Sequence, residues 1–287
     1  MSTAMSNEAT PSVQSRLSLR AVMARGLWQR GAAVPLASLA LAIVVLVAWQ
    51  YLPPMLGVPK YIIPRVSDLW GEMVRMWFQE NLLRHFISTA SMSILGFVLG
   101  GLLGAVFGYA LGLLPTWEKV LSPYILALQI APKVAFAPLF ILWFGYNAWP
   151  KLIVTILVVF FPILVNVLQA MRVMDRDLVN LARAYNMSKT KIFLKVMLPF
   201  SMPNLMAGLR IGATLAVIGI TVGELVGGEI GLGYLISFGQ GQANTAMVFD
   251  AIALLTVIGI VMYWAVTSIE TRVLHYVPRA LDTRPQP

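Results

Sequence analysis

Apolar residues in this chain come in long unbroken blocks, not in the alternation of a strand or the narrow stripe of a surface helix. No charged residue occurs from Gly31 to Pro59, from Phe86 to Trp117, from Leu152 to Met171 or from Ala251 to Ile269. Val120 to Pro150 is interrupted only by Lys133, and Phe200 to Gly223 only by Arg210. A helix needs about 20 apolar residues to cross a bilayer core of about 30 Å. The blocks predict six transmembrane helices, over about 33–52, 84–114, 120–145, 150–171, 201–226 and 248–270. The expected fold class is all-α and polytopic, with a tail at 1–32, a membrane domain at 33–276 and a second tail at 277–287.

Local signals refine this outline. The first block is long and is followed by Pro53-Pro54 instead of a small-residue cleavage site, so it reads as a retained helix. Pro53, Pro54, Pro59 and Pro64 predict an extended connection after it. Ser67 is placed to cap a helix over 68–80, with Asp68 and Glu72 in its first turns. Leu69, Met73, Met76 and Trp77 give that helix an apolar side, suited either to the membrane interface or to packing on the bundle. Gly96, Gly100, Gly104, Gly108 and Gly112 recur at a spacing of four in the second span. Small residues on one helix face let another backbone approach closely, so a packing role is expected for this ladder.

Composition narrows the function classes. The 287 residues are 59% apolar, which excludes an ordinary soluble domain. The net charge of +9 is carried by cations between the apolar blocks, a topology signal and not a nucleic-acid footprint. The tail carries Arg16, Arg20, Arg25 and Arg30, the 172–199 interval six basic residues, and the C-terminus Arg272, Arg279 and Arg284. With six spans these three segments share one side, which the positive-inside rule assigns to the cytosol together with both termini. There is no Cys, and the only histidines, His85 and His275, are far apart, so no metal site is expected.

Two charges fall inside apolar sequence. Lys133 lies mid-span among Pro123, Pro132 and Pro138, where proline breaks persist beside a neighbour or a water-lined cavity. An intramembrane cation is a pathway candidate, with a structural ion pair or a carbonyl-bound ammonium as the alternative. Arg210 is near enough to a membrane surface to snorkel. Glu224 is the second candidate and a possible partner for Lys133. It precedes Gly227, Gly228, Gly231 and Gly233, a run that predicts turns, and then a short helix over about 235–242.

The polar interval Arg172–Pro199 is longer than a connector between spans requires. Asp177 or Asp175 starts a short helix through Leu178, Asn180, Leu181, Ala182, Arg183, Ala184 and Tyr185. Asn186 tolerates the left-handed conformation that ends helices. After Met187, Ser188 caps a second, basic helix with Lys189, Lys191 and Lys195, and Pro199 closes the segment.

This interval resembles the signature loop of ABC-importer permeases, Glu-Ala-Ala, three residues, Gly, nine residues, Ile, one residue, Leu-Pro. Asn180-Leu181-Ala182, Asn186, Val196 and Leu198-Pro199 keep its spacing, with departures at Asn180, Leu181, Asn186 and Val196. Ala137–Gly145, Phe160–Ile163, Gly208–Ile211 and Gly231–Ile236 are similar to the nitrate/sulfonate/taurine type of permease, a group that includes permeases for pyrimidine precursors and riboflavin. The resemblance covers about residues 35–276 and implies a homodimer in the bacterial inner membrane. It also implies separate ABC ATPase subunits that carry ATP and Mg, an extracytoplasmic substrate-binding protein, and docking through Asp177–Ser188. No cofactor is expected on this chain, which has no Gly-Lys dipeptide and hence no Walker A motif. A secondary transporter or channel uncoupled from ATP is the alternative, although no convincing inverted repeat is present. An intramembrane enzyme lacks a catalytic set.

Overall fold

A computed structural model describes residues 33–276, and the two tails expected to carry topology charges lie outside the described residues. Every regular element among the described residues is helical. In chain order these are α1 (Ala33–Met55), α2 (Val66–Gln79), α3 (Leu82–Gly112), α4 (Pro115–Ile130) and a 3-10 turn (Lys133–Phe136). Then come α5 (Ala137–Phe144), α6 (Ala148–Val173), α7 (Arg176–Ala184), α8 (Lys189–Ile192) and a π-helical segment (Phe193–Met197). The described residues finish with α9 (Leu198–Gly227), α10 (Leu232–Gly241) and α11 (Thr245–Val273). Five stretches are long and apolar enough to cross a membrane, and the bent pair α4/α5 makes up to six.

The described residues divide between Ser67 and Asp68 into two compact units. In the first, α1 runs through Pro53 and Pro54, which give no N–H to the helix but accept through their carbonyls at its end. Val58 N–H bonds to Pro53 O at 2.9 Å, and Gly57 takes the left-handed conformation (φ 70°) that closes helices. Ile62 and Ile63 both bond back to Pro59 O, so the expected extended connection is a series of turns. Ser67 lies inside the first turn of α2 and does not cap it. Its backbone N–H and hydroxyl pair with the Gln50 amide at 3.0 and 3.1 Å.

The second unit is organised around α6, which lies between two glycine-bearing helices. On one side the α3 ladder meets α6 residues that also recur every four positions: Gly96 faces Thr155, Gly100 Val159, Gly104 Ile163, Gly108 Val167 and Gly112 Met171. Both series ascend together, so α3 and α6 run parallel. On the other side Gly208, Gly212, Gly219 and Gly223 of α9 face Ile163, Val159, Thr155 and Lys151 in descending order, so α9 is antiparallel to α6. Close backbone approach supplies the dispersion contacts that hold helices together in lipid, where hydrophobic burial contributes little between them. A Cβ at Gly104 would sit 2.6 Å from Phe160 O, a backbone atom that cannot move aside. Gly104→Ala is therefore expected to destabilise the fold by about 1–3 kcal/mol in reversible detergent unfolding. Gly259→Ala, with nothing within 4 Å of the added atom, is expected to be neutral or mildly stabilising.

The long third block is not one straight helix. α4 and the 133–144 segment meet at 76° across Ala131-Pro132. Pro132 has no N–H to continue the ladder. Within the second unit α2 packs through Met76, which is fully buried in the core that includes Leu82 and Val159. Its Trp70, Trp77 and Phe78 face outward. Arg210 pairs with Glu270 of α11 at 3.2 Å.

Candidate functional site

Three places carry polar groups that packing alone does not require. The first is the hairpin at one end of the bundle. The Asp175 carboxylate accepts from Asp177 N–H at 2.8 Å, so Asp175 is the cap and Asp177 sits in the first turn of α7. The helix ends as its sequence predicts. Asn186 is left-handed (φ 54°), Asn186 N–H reaches Arg183 O at 2.8 Å, and Met187 N–H reaches Ala182 O at 3.1 Å. The Ser188 hydroxyl accepts from Lys191 N–H at 3.4 Å. Leu178, Asn180, Leu181, Arg183, Ala184 and Tyr185 are exposed, with Tyr185 at 77%. Ala182 is only 6% exposed and belongs to the inner side of the hairpin.

The second half of the interval departs from the expectation of a separate basic helix closed by Pro199. Helical structure is continuous from Lys189 to Gly227, 39 residues, or on the order of 60 Å at 1.5 Å per residue. Continuity past Pro199 comes from the π-helical segment, in which Leu198 N–H reaches back five residues to Phe193 O. The Tyr276 hydroxyl donates to Pro199 O at 2.6 Å. Desolvation raises that phenol above its ordinary value. Tyr109 and Ser201 share a hydrogen bond of 2.8 Å. Arg172 pairs with Glu118 and bonds to Ser122 Oγ at 3.0 Å, fixing the start of the interval to α4.

The second place is the break in the bent span. Lys133 Nζ donates to Gln129 O at 2.6 Å and Ala131 O at 3.3 Å, and lies 4.9 Å from the Phe161 ring centre. Its ammonium covers carbonyls at the bend. The cation nearest Glu224 is instead Lys151, at 4.0 Å.

The third place is the glycine loop at the far end of α9. Glu224 is 1% exposed. The Thr89 hydroxyl lies 3.0 and 2.9 Å from its two oxygens, and Gly233 N–H donates to Oε2 at 3.0 Å. Leu232 N–H donates to Thr89 Oγ1 at 2.8 Å, and Gly231 N–H to His85 Nδ1 at 3.0 Å. Lys151 Nζ also reaches Ile230 O at 3.5 Å. Sequence reading singled out Glu224 and the glycines but not Thr89, His85 or Lys151. Only the Gly-x-Gly spacing after Glu224 marks the loop that wraps its carboxylate. The segment read as a short helix over 235–242 is α10, which starts three residues earlier because these side chains cap it.

Comparisons with known proteins follow the same outline. The sequence signature of the binding-protein-dependent transport system inner membrane component family matches residues 96–275. The formylaminopyrimidine transport permease protein ThiX of Halalkalibacterium halodurans is 33% identical over 81% of this chain and 92% of its own length. The riboflavin transport system permease protein RibX of Chloroflexus aurantiacus is 34% identical over 76% of this chain and 82% of its own. The taurine transport system permease protein TauC of Escherichia coli is 24% identical over 79% and 80%. The inward-facing structure of the MetNI methionine ABC transporter shares the fold, with a TM-score of 0.57 and 20% identity over 69% of this chain and 97% of that one.

Proposed function

The chain belongs to the binding-protein-dependent transport system inner membrane component family, and on that premise we propose that two copies form the membrane part of an ATP-driven importer, docked through the 175–188 hairpin on separate ABC ATPase chains. The observation that carries this reading is the hairpin itself. It is preformed by its own caps, exposes Leu178, Leu181 and Tyr185, and ends in the Ser188 cap that opens the 39-residue helix Lys189–Gly227. A partner that moves the hairpin moves α9. Asp177, Asn180, Arg183, Ala184, Asn186, Met187 and Ser188 complete the docking set. Rigid-body motion of packed helices then switches the pathway between its two sides.

The six cations of the 172–199 interval support a cytosolic hairpin and cytosolic termini. The glycine loop and α10 then face the extracytoplasmic side, where a binding protein delivers solute. ATP and Mg belong to the partner.

The dimer reading has a physical support in the bent span. Irregular backbone at membrane depth persists only against protein or a water-filled cavity, not against lipid. The break at Ala131-Pro132 carries an ammonium, and α4 buries none of its residues within this chain. That face suits a second copy across a wet pathway. The relatives are named for formylaminopyrimidine, riboflavin and taurine, and a small organic solute fits that range. Lys133 adds one cation to the face, which favours a negative or electron-rich group.

Expression together with an ABC ATPase encoded beside this chain tests the reading. The ATPase is expected to co-purify in detergent and to gain activity with the permease. A permease that emerges alone overturns docking and leaves an ATP-independent transporter as the better account.

A further inference from the structure

We propose that Glu224 is a positioning residue that fastens α10 to the moving helix α9, and that it does not contact the solute. The inference deepens the importer reading and rests on it.

The argument starts from the first turn of α10. The first N–H groups of any helix have no partner within it and must find one elsewhere. Here three successive donors, Gly231, Leu232 and Gly233, are each met by a side chain from another helix: His85 and Thr89 of α3, and Glu224 of α9. Thr89 is the hinge pin of the set, since its oxygen accepts from Leu232 while its proton goes to Glu224. The Glu224 carboxylate thus lies at the positive end of α10, where negative charge is favoured. Lys151 of α6 approaches the same carboxylate and the Ile230 carbonyl. Four elements, α3, α6, α9 and α10, converge on one acid.

The local sequence is shaped to this acid. A Cβ at Gly231 would collide with the Glu224 carboxyl group, and a Cβ at Gly233 would sit 2.7 Å from Glu224 Cβ. Gly231 also holds a φ of +133°, a conformation that L side chains rarely adopt. The connection from α9 to α10 is otherwise short and contains Gly228 and Gly231, so its backbone alone cannot hold an angle. With Glu224 in place, α10 has to follow the far end of the helix whose other end carries the docking hairpin. A carboxylate this enclosed has both oxygens engaged and no face left for a solute.

The test uses the full complex of permease, ATPase and binding protein in lipid. Because the chain has no Cys, one spin label can be placed at Gln242→Cys and the distance between the two copies read with and without trapped nucleotide. The native protein is expected to give a narrow distance that shifts with nucleotide. Glu224→Ala should broaden it and remove the shift. ATP hydrolysis should stay within about twofold of native, while solute moved per ATP falls at least roughly tenfold. Glu224→Gln keeps an acceptor for Gly233 and a partner for Thr89, and is expected to recover most of the coupling. Should Glu224→Ala fail to accumulate, Thr89→Ala is expected to show the same loss in milder form. Native distances and native coupling in the alanine variants overturn the proposal. So does a raised KM for solute at unchanged coupling, the mark of a solute contact. If the native permease binds no ATPase, the importer reading fails and this inference with it. If the ATPase binds and the variants stay coupled, this inference alone fails.

Discussion

Tyr185→Asp is expected to abolish solute uptake while the permease still inserts and folds. Tyr185 is the most exposed apolar side chain of the hairpin, at 77%, and stands where α7 turns into the left-handed Asn186. A tyrosine buried in an interface typically contributes about 2 kcal/mol or more, which corresponds to roughly 30-fold weaker docking. A carboxylate in its place adds a desolvation penalty to the lost contact. Nothing in the hairpin itself depends on the ring, because the hairpin is held by the Asp175 cap, the Arg183 and Ala182 carbonyls and Ser188. In proteoliposomes the variant should keep its thermal stability, lose co-purifying ATPase and lose uptake. Ala182→Glu provides the contrast. Ala182 points inward, so its carboxylate would be buried inside the hairpin and would disrupt the element. Loss of function there reports on folding of α7, not on its docking surface. Normal uptake by Tyr185→Asp would remove this segment from the coupling route.

The contrast between Tyr185 and Ala182 also shows what the sequence could and could not reveal. Both lie on a short helix whose caps are written in adjacent residues, so its existence and its end at Asn186 were legible. Which face turns outward depends on how the hairpin meets the rest of the chain, and that is not a local property. The spans were legible for a simple reason: lipid offers no hydrogen bonds, so a lipid-facing span must be a continuous apolar helix, and only the third block, broken at Ala131-Pro132, departs from that rule. The glycine ladder was legible as a packing face, but not its register on Thr155, Val159, Ile163, Val167 and Met171. Pro199 misled because proline usually ends a helix from outside. Here the ladder shifts to a five-residue step just before it, and the helix runs on. The Glu224 cluster was hardest to see. Thr89 lies 135 positions from its partner and has no local signal, and Lys151 looks like an ordinary cation at the edge of a span.

Lys133→Met is expected to lower uptake at least roughly tenfold while membrane accumulation falls much less. Methionine keeps most of the apolar stem but carries no donor. The carbonyls of Gln129 and Ala131 then lose the ammonium that lies 2.6 and 3.3 Å away. Hydrogen bonds to a charged group contribute about 1.5–3 kcal/mol each. Contact with the Phe161 ring adds about 0.5–2 kcal/mol. The freed carbonyls must then pair with water of the pathway or with other backbone donors, and either rearrangement relaxes the 76° bend. The bend shapes the face proposed to line the pathway, so its loss should reach transport before it reaches folding. Uptake equal to native would show that the bend holds without Lys133. Lys133→Arg separates the two ways this cation can act. A pathway charge that attracts solute is preserved by arginine, whereas a compact ammonium held between two carbonyls is not reproduced by a planar fork. Because the observed ammonium is already engaged by backbone oxygens, arginine is expected to restore less than half of native uptake. Full restoration would instead assign Lys133 to the solute.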